Sequence, residues 1–272
     1  MLTDTQKLSF KQNGFVVVED AIDEELVDHL REAVWDAVDV DRDDVSLLEA
    51  ENRVSFWDEA LDEEPFDELN RQAHEYATEL VGDSLAEPGD RTQLALRFPN
   101  GEVSDGDRPS DHGGHVDGYG PGFNSDGEVR SFTVASAVYL EDVLPRGGGF
   151  TVWPGSHWRA AEYFSTHALE TLGHAHGSHV PADLDDHFEI SGDAGTLVLW
   201  HNKLTHTGGV NRSPNVRMSA ITRFSREDID EIRRDAADKP FKYWDGLTDV
   251  VPESPPNPYA DDEEAESETD DE

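Results

Sequence analysis

The period of the hydrophobic pattern changes once along the 272-residue chain, and that change limits the fold more than any other feature. Before it, the spacing is helical. Thr3–Gln12 predicts a short helix stopped by Gly14, followed by a strand over Phe15–Val18. Asp23 can cap a second helix, with Glu24 and Glu25 in its first turn and Leu26, Val27, Leu30, Val34, Ala37 and Val38 on one face. A third helix is predicted near Phe66–Val81, with Leu69, Ala73, Tyr76, Ala77 and Leu80 inward and Gly82 past its end. From about Thr92 the pattern becomes that of strands: Gln93–Phe98, Phe132–Leu140, Phe150–Trp153, Phe188–Ile190, Thr196–Trp200 and Arg217–Phe224. These runs are short, rich in Val, Thr and aromatics, and bounded by Gly, Pro, Asn and Asp. A mainly β fold with flanking helices follows, a sandwich or jelly roll carrying helices on its outside. The alternating strands and long helices of a doubly wound sheet are missing.

One domain is expected over residues 1–250, with a helical part over about 1–85 and a β core over about 90–225. Residues 251–272 are Pro-rich and acidic and are expected to be disordered. Two connections stand out. Gly101–Gly127 holds eight glycines, and Glu162–Asp186 holds His167, His174, His176 and His179, with His187 just after it.

Charge removes several functions. With 61 Asp and Glu against 21 Lys and Arg, the net charge is −40, so a nucleic-acid backbone would be repelled. Only nine of the carboxylates lie in the last twelve residues, and lysine occurs five times against sixteen arginines. Self-repulsion of this size strains a compact state in dilute buffer and is screened at about 1 M salt, where the Debye length is roughly 3 Å. The composition therefore reads as adaptation to a molar-salt cytoplasm, like that of an extreme halophile. No EF-hand loop competes with that reading. There is no cysteine, hence no disulfide, thiolate metal site or cysteine nucleophile. No apolar run reaches the roughly 18 residues of a membrane span. The polar start MLTDTQKLSFKQNG lacks a leader profile, so a cytoplasmic location is expected. Dinucleotide, P-loop and nucleophile-elbow motifs are absent.

Chemistry rests on the arrangement of the twelve histidines. In a strand, His115 and Asp117 of His115-Val116-Asp117 would face one side and reach one ion, as in half of a 2-His-1-carboxylate iron site. Alone the triplet means little, because about 1.5 such triplets arise by chance at this Asp content. Its company matters more. His206 follows a strand, and Arg217 opens another eleven residues later. Arg217, Ser219, Ile221 and Arg223 share one face of that strand, where an Arg and a Ser two apart can hold a carboxylate.

Taken in order, these features resemble the phytanoyl-CoA dioxygenase family of iron(II)/2-oxoglutarate oxygenases. Asn13-Gly14-Phe15-Val16-Val17-Val18 is similar to the family's N-terminal segment, His115-Val116-Asp117 to its H-x-D, and Pro154-Gly155-Ser156-His157 to its PGSH turn. Gly192-Asp193, His206, Asn211 and Arg217 resemble its GD…H…N…R block. The resemblance implies a double-stranded β-helix, a cupin-like jelly roll. It implies that His115, Asp117 and His206 are the catalytic metal ligands for Fe(II), that Arg217 binds the far carboxylate of the co-substrate 2-oxoglutarate, and that Ser219 helps. O2 would take the remaining coordination position. An intact Asp117 favours hydroxylation of a small-molecule substrate over halogenation. His201 and His112 are rival ligands, with His201 expected near the site but unligated, and His157 is expected to be a structural hydrogen-bonder. The glycine-rich segment Arg146–Thr151 departs from the family pattern and should border the substrate mouth, so the substrate does not carry over. Phe123, Trp153, Trp158 and Tyr139 are candidates for an apolar pocket or for core. Three alternatives stay open: a cupin-like metalloenzyme without 2-oxoglutarate, a catalytically silent binding or sensor module, and a separate metal site at His174, His176 and His179.

Overall fold

The computed structural model describes residues 1–37, 53–56, 64–89, 91–100, 114–117, 132–168 and 187–250. The tail over 251–272, the triplet of His174, His176 and His179, His112 and Phe123 lie outside them.

Three helices precede or interrupt the first strands. α1 spans Asp4–Asn13, and its N-cap Thr3 forms a capping box with Gln6. Gly14 closes α1 at φ 85°, donating its N–H to the Phe10 carbonyl. α2 is Glu24–Ala37, whose Glu25 N–H donates to the Asp23 carboxylate. α3 is Glu64–Val81, ended by Gly82 at φ 95°. The predicted helices are therefore present, α1 shifted by one residue and α3 two residues longer at its start.

Among the described residues, nine strands run from β1 (Phe15–Val18) and β2 (Arg53–Phe56) through β3 (Gln93–Arg97), β4 (Val134–Tyr139) and β5 (Phe150–Val152). β6 (Phe188–Ile190), β7 (Leu197–His201), β8 (His206–Gly208) and β9 (Arg217–Phe224) complete them. They form two antiparallel sheets, one of order β1-β7-β4-β9-β3-β2 and one of order β6-β5-β8. Each predicted strand is observed within two residues at each end. β2 and β8 were not predicted, and neither was α4 (Ser156–Phe164), which begins inside the turn read from Pro154-Gly155-Ser156-His157.

The large sheet is buried on both faces, and the period of two assigns them. Leu94, Leu96, Val134, Val138, Leu197, Leu199, Met218, Ala220 and Phe224 face the helices and form one core with Leu30, Phe66, Leu69 and Leu80. Ala95, Ala135, Ala137, Tyr139, Val198, Trp200 and Ile221 face the small sheet and pack with Phe150, Val152 and Ile190. Two facing sheets with outer helices make a jelly roll, as the sequence predicts. The cavity between the sheets opens beside β8 and the inner face of β9. After β9 the chain returns over α3 through α5 (Ile229–Ile232) and a 3-10 turn at Asp245–Leu247, burying Trp244 and Leu247. No helix among the described residues is long and apolar enough to cross a membrane.

Candidate active site

The site is assembled by one short antiparallel contact. His115 and His206 exchange both backbone hydrogen bonds, at 2.9 and 3.0 Å. Residues paired in this way project their side chains to the same side, and the two rings lie 4.7 Å apart. Asp117, two residues on, shares that side, while Val116 between them is buried in the opposite direction. The result is three ligand-type atoms within 4.8 Å of one another. His115 Nε2 stands 3.2 Å from Asp117 Oδ1, and His206 Nε2 stands 3.8 Å from Oδ2.

Neighbours fix each side chain. His206 Nδ1 lies 2.9 Å from the Leu204 carbonyl. A carbonyl only accepts, so Nδ1 carries the proton and Nε2 turns its lone pair to the site. The ring stacks on Phe150 at 5.1 Å and packs against Trp200 at 5.3 Å. Gly114, just before His115, has to be glycine, because a Cβ there would come within 2.3 Å of Trp153 and 2.5 Å of Thr205. The Asp117 Oδ2 accepts from Arg223 Nη2 at 2.7 Å and Nε at 3.2 Å, and Arg223 Nη1 donates to Gln93 at 2.9 Å.

Burial alone would raise the Asp117 carboxyl, but the hydrogen bond from His115 and the charges of His206 and Arg223 outweigh it and hold the group well below the usual carboxylate range. Burial, then the nearby His115, pushes His206 down to about 4, against the opposing pull of Asp117. Both groups are thus in the forms that bind a metal.

Arg217 comes from the start of β9. It is buried, its Nη1 donates to the Ala95 carbonyl at 3.0 Å, and its Nε has no hydrogen-bond partner. Ser219, on the same strand face, is buried with an unpartnered Oγ but does not line the cavity. The cavity has a volume of about 400 Å³ and is lined by His115, Asp117, His206, Arg217, Arg97, Arg223, Phe150 and Trp200 among others.

The remaining candidates fall elsewhere. His201 is not near the site as expected. It alternates with Trp200 along β7, so it points to the other face, where Nε2 donates to the Pro240 carbonyl at 2.9 Å and Nδ1 accepts from the Lys203 N–H at 3.0 Å. His157 is the structural hydrogen-bonder expected, with Nε2 3.1 Å from the Lys11 carbonyl. Asn211 holds a turn, donating to the carbonyls of Arg97 and Asn215. Tyr139 is core rather than pocket: its hydroxyl donates to the Ile190 carbonyl and accepts from the Phe150 N–H. Trp153 and Trp158 are not among the described lining residues of the cavity, whose aromatic members are Phe150 and Trp200. The glycine-rich segment borders it only through Phe150. Arg223 and the Leu204 carbonyl were not singled out as site groups. The period of two on β9 does put Arg223 on the Arg217 face, whereas a backbone acceptor leaves no mark in sequence.

Solved structures with the same fold include HygX from Streptomyces hygroscopicus with nickel and 2-oxoglutarate bound, at 17% identity and TM-score 0.53, covering 84% of this chain and 88% of that one. EctD from S. alaskensis in its apo form is similar at 19% identity and TM-score 0.52, covering 88% and 80%. The 2-oxoglutarate-dependent carbocyclase SnoK from nogalamycin biosynthesis is similar at 17% identity and TM-score 0.52, covering 85% and 90%. None of the curated proteins matches the chain by sequence. The model of the phytanoyl-CoA dioxygenase (PhyH) family matches residues 10–219, which take in the paired histidines, Asp117 and Arg217 alike, and the chain belongs to that family.

Proposed function

We propose that the protein is an iron(II)- and 2-oxoglutarate-dependent dioxygenase that hydroxylates a C–H bond of a small organic substrate and releases succinate and CO2. One observation carries the reading: His115, Asp117 and His206 converge in the same cavity as a buried Arg217 whose Nε has no partner.

The residues fit the groups. Two imidazoles and one carboxylate on one side of a cavity suit ferrous iron and leave coordination positions free. A buried guanidinium N–H without a partner costs free energy until an acceptor arrives, and a carboxylate supplies one for Arg217 Nε. When bound, iron together with 2-oxoglutarate and O2 supplies the oxidising power, while the protein supplies binding, orientation and shielding.

His115 and His206 would hold the metal through their Nε2 atoms, the latter oriented by Leu204. Asp117 would bind through Oδ1, since Arg223 occupies Oδ2. Arg217 would clamp the far carboxylate of 2-oxoglutarate, while Ser219, the helper expected from the sequence, lies on the same strand face but outside the cavity lining. Phe150 and Trp200 keep water from the His206 side. A carboxylate at Asp117 supports hydroxylation rather than halogenation. The structure of HygX with hygromycin B bound supports a small-molecule substrate for this architecture.

The test is succinate release by anaerobically iron-loaded protein after admission of O2 and 2-oxoglutarate, screened with candidate substrates by mass spectrometry. Iron-dependent succinate with a substrate gain of one oxygen atom is expected. Loss of two hydrogens, or inversion without oxygen gain, would show a different outcome of the same chemistry. No 2-oxoglutarate consumption with any metal would favour the cupin-like reading.

A further inference from the structure

Pro154, Gly155, Ser156 and His157 are not among the described residues that line the cavity, yet their turn grips the backbone that carries His206. Trp153–Ser156 is a type II turn. Pro154 takes its second position and Gly155 its third, at φ 75° and ψ −5°, and the Ser156 N–H closes it on the Trp153 carbonyl at 3.2 Å. The end of α1 holds the turn in place. There the Asn13 carbonyl accepts from the Gly155 N–H at 2.9 Å, and the Lys11 carbonyl accepts from His157 Nε2 at 3.1 Å. A turn anchored in this way aims Ser156 in one direction. Ser156 is buried, and its Oγ accepts from the Thr205 N–H at 2.8 Å.

Leu204 and Thr205 lie outside the strands, between a turn and β8. The peptide that joins them is planar, and its trans geometry turns the N–H and the C=O in opposite directions. Ser156 holds the N–H at one end, and the C=O at the other accepts from His206 Nδ1 at 2.9 Å. The following peptide is held by the same turn: the Trp153 N–H donates to the Thr205 carbonyl at 3.1 Å, while the His206 N–H donates to the His115 carbonyl at 3.0 Å. Rotating the first plane would withdraw the acceptor that keeps the proton on Nδ1 and the lone pair on Nε2.

Resting on the reading of His206 as an iron ligand, we propose that Ser156 is a positioning residue for the metal. Across one peptide plane it sets the Leu204 carbonyl, and through that carbonyl the tautomer and direction of the His206 ring. The Pro-Gly turn thus serves to aim a hydroxyl at the backbone behind a metal ligand.

Two variants test this. Ser156→Ala removes the acceptor, and Ser156→Cys keeps nearly the same shape but offers only a weak one. Fe(II) binding is followed by equilibrium dialysis under argon, and the His206 ring nitrogens by nitrogen NMR of the metal-free protein. Wild type should show one tautomer, with the proton on Nδ1. Ser156→Ala should bind Fe(II) about tenfold more weakly, at the low end of what losing an outer partner does to a metal site, and should show a mixture of tautomers. Ser156→Cys should fall between the two, and it decides by the same measurements if Ser156→Ala does not fold. As a control, Ala160→Gly weakens α4 through its helix propensity and should bind Fe(II) within about threefold of wild type. The proposal is overturned if both Ser156 variants bind Fe(II) as wild type does with Nδ1 still protonated. It is also overturned if Ala160→Gly loses as much Fe(II) affinity as Ser156→Ala at an equal fall in melting temperature. Wild type that binds no Fe(II) would reject the iron-site reading instead, and the tautomers of the metal-free variants would still decide this proposal.

Discussion

Arg223 shows how a single side chain can set the character of a site without touching the reacting atoms. Its grip on Asp117 Oδ2 leaves Oδ1 for the metal, and its charge adds to the hydrogen bond from His115 and the charge of His206 that hold the buried carboxylate in its ionised form. Replacing it with Gln should weaken Fe(II) binding by about 10- to 100-fold while leaving the fold intact, as measured by metal titration and circular dichroism. Asp117→Ala should abolish iron-dependent succinate release outright; retained turnover would remove Asp117 from the ligand set. At this scale the sequence was informative about residue types and poor about partners. His115, Asp117, His206 and Arg217 could be picked out because they recur in a family order. The bonds from Arg223 and Leu204 could not, because they depend on how separate segments meet. His201 was misplaced for a simpler reason: neighbours on a strand face opposite ways, and Trp200 had already taken the cavity side.

Among the elements, the strands with runs of Val, Leu and aromatics were legible, and the two of three and four residues beside glycine or acidic stretches were not. β8 has only three residues, and α4 begins where a turn was expected because Gly155 enters it at φ 75°. Gly114 lies where the strand of His115 passes closest to Trp153. Gly114→Ala should cost roughly 1–3 kcal/mol by overpacking and should lower metal affinity together with melting temperature, because it pushes His115 and Asp117 away from β8. Behind β7 lies a second buried group: His157, held down to about 3 by burial, His201, held well below its usual value by burial and the charge of Lys203, and Lys203, lowered by burial to about 7. Both imidazoles are neutral when folded and take up protons on unfolding below about pH 6.5. The unfolded state then binds more protons, so stability falls as pH drops. Between pH 6.5 and 5 each should cost about 1.4 kcal/mol per pH unit, before the surface carboxylates begin to titrate. Thermal melts should show this slope, and His157→Gln should reduce it; a flat profile over that range would mean these imidazoles are solvated.

For the whole molecule, charge dominates. A net −40 on 272 residues is carried by a jelly roll whose cores are ordinary in their Leu, Val and Phe content. The charge excess therefore lies outside these cores, and we propose that it adapts the protein to work in a molar-salt cytoplasm. Melting temperature should rise steeply from dilute buffer to about 2–3 M KCl as repulsion is screened; an unchanged value would refute the proposal. The overall architecture was legible because the helical part and the β part have different periods, whereas the pairing order of the described strands is set by long-range contacts that no local pattern records.

The most direct test of the whole account is an anomalous difference map from crystals grown anaerobically with Fe(II) and 2-oxoglutarate. A single strong peak bonded to His115 Nε2, His206 Nε2 and Asp117 Oδ1, with the keto diacid reaching from it to Arg217, is the predicted result. Iron held elsewhere, or a diacid with no contact to Arg217, would contradict it.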